Sequence, residues 1–102
     1  MLPEIITTKR EELEAICRKH RVQKLFLFGS MLRGDYTDSS DVDVLVTFKP
    51  EADPEIGYFD IFRLQDDLED ILGRHVDLGT VRSLKPNIRE SVLNTAQILY
   101  AG

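Results

Sequence analysis

Asp41-Val42-Asp43-Val44-Leu45-Val46 constrains this chain more than any other stretch. Side chains on a strand alternate faces, so the three valines point to one side and the two aspartates to the other, with the aspartates roughly 7 Å apart at the backbone. The pattern predicts a strand over residues 41–48, in a sheet buried on one face and polar on the other. Carboxylates paired in this way repel each other, and the arrangement is costly unless a proton or a cation is shared. Mg²⁺ suits them, being a hard ion that takes carboxylate and phosphate oxygens.

A second constraint lies just upstream. VQKLFLF at residues 22–28 has strand length, and Gly29-Ser30 leads directly into Met31-Leu32-Arg33-Gly34, which reads as one helical turn closed by glycine. Such a turn presents backbone N–H groups and a hydroxyl at a helix N-terminus, a place for phosphate. The polar residues from Asp35 to Ser40 join the two elements as a surface loop, with Asp35 and Asp38 expected in solvent. A calcium-loop reading fails on spacing, because counting from Asp41 puts Leu45 at the fifth position, where an oxygen ligand is required.

The rest of the chain reads as support. Thr8-Lys9-Arg10-Glu11 fits a capping box, and Leu13, Ile16 and Cys17 recur at helical spacing. They predict a helix from Lys9 to Lys19 with Cys17 packed inertly in the core and His20 just beyond, complementing the helix dipole. Pro50 and Pro54 among charges make residues 49–56 the expected flexible connection. A long helix follows over residues 58–72, with Ile61, Leu64, Leu68, Ile71 and Leu72 on one face and Gly73 as its stop. Asp66, Asp67, Glu69 and Asp70 fall off that face, as a solvated surface or a docking patch for a basic partner. His75 to Gly79 predicts a third strand with Val76 and Leu78 inward; if it pairs beside the Asp41 strand, Asp77 joins the carboxylates, and spacing alone leaves that open. His75 shares the face of Asp77, with a structural role expected. Lys85-Pro86 starts a last helix running to about Asn94, and Ile98-Leu99-Tyr100 returns as a short strand. The expected architecture is α+β: a small mixed β-sheet of about four strands, with helices mainly on one face and the acids on the other.

A chain of 102 residues is expected to form a single domain, residues 1–102, with little surface to spare for a separate acceptor module. Its net charge of −5 argues against direct nucleic-acid binding, which rests on clustered lysine and arginine. Cys17 is the sole cysteine, and the sequence has neither a signal peptide nor an apolar run long enough for a bilayer, so no membrane association and a cytoplasmic location are expected.

Taken jointly, Gly29-Ser30, Arg33-Gly34 and Ser40-Asp41-Val42-Asp43 resemble the signature of the nucleotidyltransferase superfamily that includes DNA polymerase beta. The likeness extends from about Leu13 to Tyr100, and the length resembles the minimal nucleotidyltransferase (MNT) branch. Leu32, where many relatives carry alanine, and Gly79, where an apolar residue is usual, are small departures. The resemblance implies a nucleotidyltransferase with the polymerase beta-like fold that uses ATP with two Mg²⁺ ions, or Mn²⁺ in their place. Asp41, Asp43 and Asp77 would be the catalytic metal ligands, the third acid by family analogy with a Val-Asp-Leu strand. Gly29 and Ser30 would hold the phosphates, and Arg33 would either reach the triphosphate or tie the turn to Asp35 or Asp38. Minimal nucleotidyltransferases of this type are often antitoxins that transfer AMP to a tyrosine of a cognate HEPN-domain toxin. That protein is the implied partner, and a homo-oligomer is allowed. Two other readings stay open: a non-catalytic antitoxin that acts by binding, and transfer to a small molecule such as an aminoglycoside. The intact Asp41, Asp43 and Ser30 count against the first, and the lack of a second domain counts against the other.

Overall fold

A computed structural model describes the chain apart from Met1, Leu2, Asp35, Tyr36 and Asp38, together with the side chain of Ser30. Four strands form one sheet: β1 (Val22–Phe28), β2 (Val42–Phe48), β3 (Val76–Thr80) and β4 (Gln97–Ala101), in the order β3-β2-β1-β4. The β1–β2 and β1–β4 pairs are antiparallel and the β2–β3 pair is parallel, so the sheet is mixed. A parallel pair needs a crossover. Helix α4 (Tyr58–Leu72) supplies it, entered through a short 3₁₀ turn at Asp53–Glu55. The remaining helices are α1 (Glu4–Thr7), α2 (Arg10–Lys19), α3 (Ser30–Arg33) and α5 (Pro86–Thr95).

Alternation along the strands decides where the core lies. Leu25 and Leu27 of β1, Val42, Val44 and Val46 of β2, and Val76 of β3 are buried in one cluster with Leu13 and Cys17 of α2 and Leu64, Leu68 and Leu72 of α4. Each such side chain contributes about 1.5–3 kcal/mol by leaving water. Cys17 is fully enclosed, and burial pushes its thiol up to about 12, which keeps it protonated and unreactive. Helix α4 has the expected bounds and ends on Gly73, whose φ of 66° is the left-handed stop that glycine adopts at little cost.

Three details depart from the sequence reading. Thr8 makes no capping box: it closes α1, its hydroxyl donates to the Glu4 carbonyl at 2.9 Å, and Lys9 takes the N-cap of α2 without a side-chain bond. Residues 49–56 are a hydrogen-bonded turn, with Ala52 buried and its N–H donating to the Lys49 carbonyl at 2.9 Å; Pro54 fits because the first turn of a helix asks for no N–H there. The acids of α4 are not uniformly solvated. Asp67 accepts from His20 Nε2 at 2.7 Å and Lys19 Nζ at 3.3 Å, which locks α4 to the end of α2 and lowers the Asp67 carboxyl, chiefly through the His20 bond. His20, expected only to complement the α2 dipole, is the side chain that holds Asp67 of α4.

Leu64 lies fully buried where α4 meets the sheet. Leu64→Ala is expected to cost about 2–5 kcal/mol of unfolding free energy, measured by urea denaturation of the purified domain. A loss under 1 kcal/mol would show that α4 is not seated on the core as described.

Candidate functional site

Register brings the site together. On the antiparallel side Phe28 lies opposite Asp43, so the turn at Gly29 begins beside that carboxylate. On the parallel side Asp43 lies opposite Asp77. The conditional expectation for Asp77 is met because β3 pairs with β2 and not with another strand. Asp41 sits one residue before β2, exposed, and its Oδ1 lies 3.4 Å from His75 Nδ1. Asp43 is half-buried. Burial pushes its carboxyl above the ordinary value, the Asp77 and Asp41 carboxylates add to this, and Arg33 opposes them.

Gly29 has φ 80° and ψ −150°, a region open essentially to glycine alone. The missing side chain also matters, since a Cβ at Gly29 would come within 2.3 Å of Asp43 Oδ2. The turn and the carboxylate occupy each other's space, and only glycine permits it. From there Ser30–Arg33 forms the expected helical turn, with Leu32 N–H donating to the Gly29 carbonyl at 3.1 Å and Gly34 closing it at φ 78°. A cavity of about 310 Å³ opens at this turn, lined by Gly29, Leu32, Arg33 and Thr95 from the end of α5. A larger one, about 410 Å³, lies away from the carboxylates, between the end of α2 and α4.

Arg33 is exposed and close enough to act on Asp43 electrostatically. A tie from Arg33 to Asp35 or Asp38 falls outside the described residues, as do the solvation of those acids and the Ser30 hydroxyl. Three contributors were not singled out by sequence. Arg74 Nη1 donates to the carbonyls of Thr37 and Ser40 at 2.7 and 3.3 Å, holding the loop that delivers Asp41. Glu69 Oε2 accepts from Val76 N–H at 2.9 Å and lies 3.8 Å from His75 Nε2, which braces the start of β3. Thr95 forms the far wall of the cavity. None of these carries a short motif, because each reaches the site from a helix or turn distant in sequence.

Hard carboxylate oxygens fit a divalent ion, and a cation would offset the burial and the neighbouring carboxylates that together raise the Asp43 carboxyl. Among the described residues no three acid, histidine or cysteine side chains already converge into a metal cage. The Asp41 carboxylate is turned toward His75, so assembling three ligands requires side-chain rotation.

The Nucleotidyltransferase domain family matches residues 9–99. The chain is 38% identical over 98 residues to the protein adenylyltransferase MntA of Thermococcus cleftensis, an alignment covering 88% of this chain and 93% of that protein. A solved minimal nucleotidyltransferase structure superposes with a TM-score of 0.78 at 35% identity, covering 95% of each chain. The fold is shared by a chain from a toxin–antitoxin complex with AMP-PNP, with a TM-score of 0.72, 22% identity, and coverage of 91% of this chain and 73% of that one.

Two outcomes follow from the crowding. Because the folded protein holds the Asp43 proton more tightly than the unfolded chain does, stability of the metal-free domain falls as pH rises from the usual carboxylate value through the raised one, and stays reduced at neutral pH. Asp43→Asn is therefore expected to melt higher than wild type at pH 7 in EDTA, with the gap closing toward pH 3. Equal melting temperatures at pH 7 would contradict it. Gly29→Val is expected to lower stability by about 1–3 kcal/mol from backbone strain alone, and a melting temperature matching wild type would show that the turn tolerates a side chain.

Proposed function

Because the chain belongs to the nucleotidyltransferase domain family, in its minimal nucleotidyltransferase branch, we propose that it transfers AMP from ATP to a tyrosine hydroxyl of a cognate HEPN-domain toxin. It would thereby act as an antitoxin, as a single cytoplasmic domain. The carrying observation is the register that sets Asp43 between the Gly29 turn and Asp77, since this supplies a phosphate cradle and a carboxylate cluster at one sheet end. The likeness to a protein adenylyltransferase supports a protein acceptor, and the shared fold of a toxin–antitoxin component supports the kind of acceptor.

Each residue has a role in this reading. The Gly29 backbone and Ser30 hold the β and γ phosphates, and Arg33, which lines the cavity, either reaches the triphosphate or ties the turn to Asp35 or Asp38. Asp41, Asp43 and Asp77 would hold two Mg²⁺ ions, which when bound neutralise charge on the attacking and leaving oxygens. The tyrosine oxygen bonds to the α-phosphorus, the bond from that phosphorus to the bridging oxygen breaks, and pyrophosphate leaves with the electron pair. The phenolic proton is released to solvent at the exposed edge of the site, where Asp41 and Asp77 lie. The net charge of −5 leaves nucleic acid outside the direct partners. Among the described residues no helix is long and apolar enough to cross a membrane.

Incubating the purified protein with the toxin, ATP and Mg²⁺ is expected to add AMP to a toxin tyrosine, read by mass spectrometry. Asp41→Asn/Asp43→Asn should bind the toxin but lower transfer by roughly 10³-fold or more, in the range seen when preorganised electrostatic groups are removed. Complete neutralisation by both forms with no adduct would favour antitoxin action by binding alone, and label on an aminoglycoside instead would favour the small-molecule reading.

A further inference from the structure

Helix α4 turns one face to the core and leaves another without cover. Tyr58, Phe59 and Phe62 are 82%, 81% and 57% exposed, on the first turn and a half, and none of them belongs to the core cluster. Their spacing of one, three and four residues gathers the rings on one side of the helix. Together they leave roughly 400 Å² of aromatic surface in water, at the level where an exposed apolar patch marks an interaction site. Farther along the same outward ridge stand Arg63, Asp66 and Asp70, all exposed and none in an ion pair among the described residues, whereas Asp67 and Glu69 are engaged inside the fold.

We propose that this ridge docks a folded protein that offers an apolar pocket to the Tyr58, Phe59 and Phe62 rings and basic side chains to Asp66 and Asp70. The partner's identity rests on the function proposed above: it is the acceptor protein itself. Charge selects against the other occupants. An anionic membrane or a nucleic acid would meet a ridge whose two carboxylates outnumber its one cation, Arg63, on a chain of net charge −5. A second copy is disfavoured by geometry, because antiparallel α4 helices would bury Asp66 and Asp70 under aromatic rings, and parallel ones would stack acid on acid.

Position adds a constraint on size. The patch lies at the N-terminal end of α4, and the C-terminal end leads through Gly73 and His75 into Val76 and Asp77. A helix of this length spans roughly 20 Å. Anything that engages the rings and also presents a hydroxyl to the carboxylates must bridge that distance, which a small-molecule acceptor cannot. Docking and chemistry are thus separable on this domain.

The test uses the purified protein and the cognate HEPN-domain protein of the function proposed above. Phe59→Ser/Phe62→Ser is expected to weaken the complex by roughly 100-fold or more, as loss of buried aromatic anchors does, with Mg·ATP affinity and melting temperature near wild type. Asp66→Lys/Asp70→Lys, which leaves the rings in place, is expected to slow association and flatten its salt dependence. Wild-type affinity in both variants, with transfer intact, would overturn the docking surface while leaving the proposed function standing. Absence of complex and adduct with the wild-type protein would overturn the proposed function and this partner together. A wild-type dimer that Phe59→Ser/Phe62→Ser converts to monomer would assign the ridge to a second copy and overturn the proposal.

Discussion

Asp43 is a carboxylate held where its neighbours oppose its charge. Phe28 flanks it on one side and Asp77 on the other, and Asp41 lies just upstream on the chain. Burial raises the Asp43 carboxyl most, and the Asp77 and Asp41 carboxylates add to it. The strand tolerates this because its opposite face carries Val42, Val44 and Val46, each buried and each worth about 1.5–3 kcal/mol. Hydrophobic burial beneath the sheet thus fixes a polar constellation above it. A one-residue slip would exchange the two faces, so the register that protects the core also assembles the site.

The glycine turn depends on the same constraint. Gly29 approaches Asp43 so closely that a Cβ would meet the carboxylate, and its backbone angles exclude other residues. Turn and carboxylate cannot be moved independently. The loop that delivers Asp41 is tied in turn by Arg74, and the start of β3 by Glu69, so residues at the end of α4 and just past it steady both strands. Braces drawn from rigid elements fix the two strand ends, while the Asp41 carboxylate, turned toward His75, keeps its rotation.

Helix α4 consequently has three duties. Leu64, Leu68 and Leu72 cover the sheet, Glu69 and the connection after Gly73 support the carboxylates, and the outward N-terminal turns carry aromatic rings that the core never uses. A small domain has little area for a separate binding module. Placing recognition and support on two ends and two faces of one helix is a compact solution to that shortage.

The sequence by itself determined the elements and most of the chemistry. Alternation in Asp41-Val42-Asp43-Val44 defines β2, the apolar face of residues 58–72 defines α4, and Gly29, Gly34 and Gly73 mark turns that only glycine makes cheaply, because each of these is a local property of the backbone and its nearest neighbours. The Gly-Ser, Arg-Gly and Asp-x-Asp pattern likewise fits within twenty or so residues. What only the tertiary structure decided is long-range. The pairing of β3 with β2 turned Asp77 from an open question into a neighbour of Asp43, and the spent hydroxyl of Thr8 removed an expected cap. The acids of α4 divided into those bonded to His20 or Val76 and those facing water. No local pattern encodes these outcomes, because a strand's neighbour, a side chain's partner and an aromatic's exposure are settled by packing between segments far apart in the chain, where burial outweighs propensity.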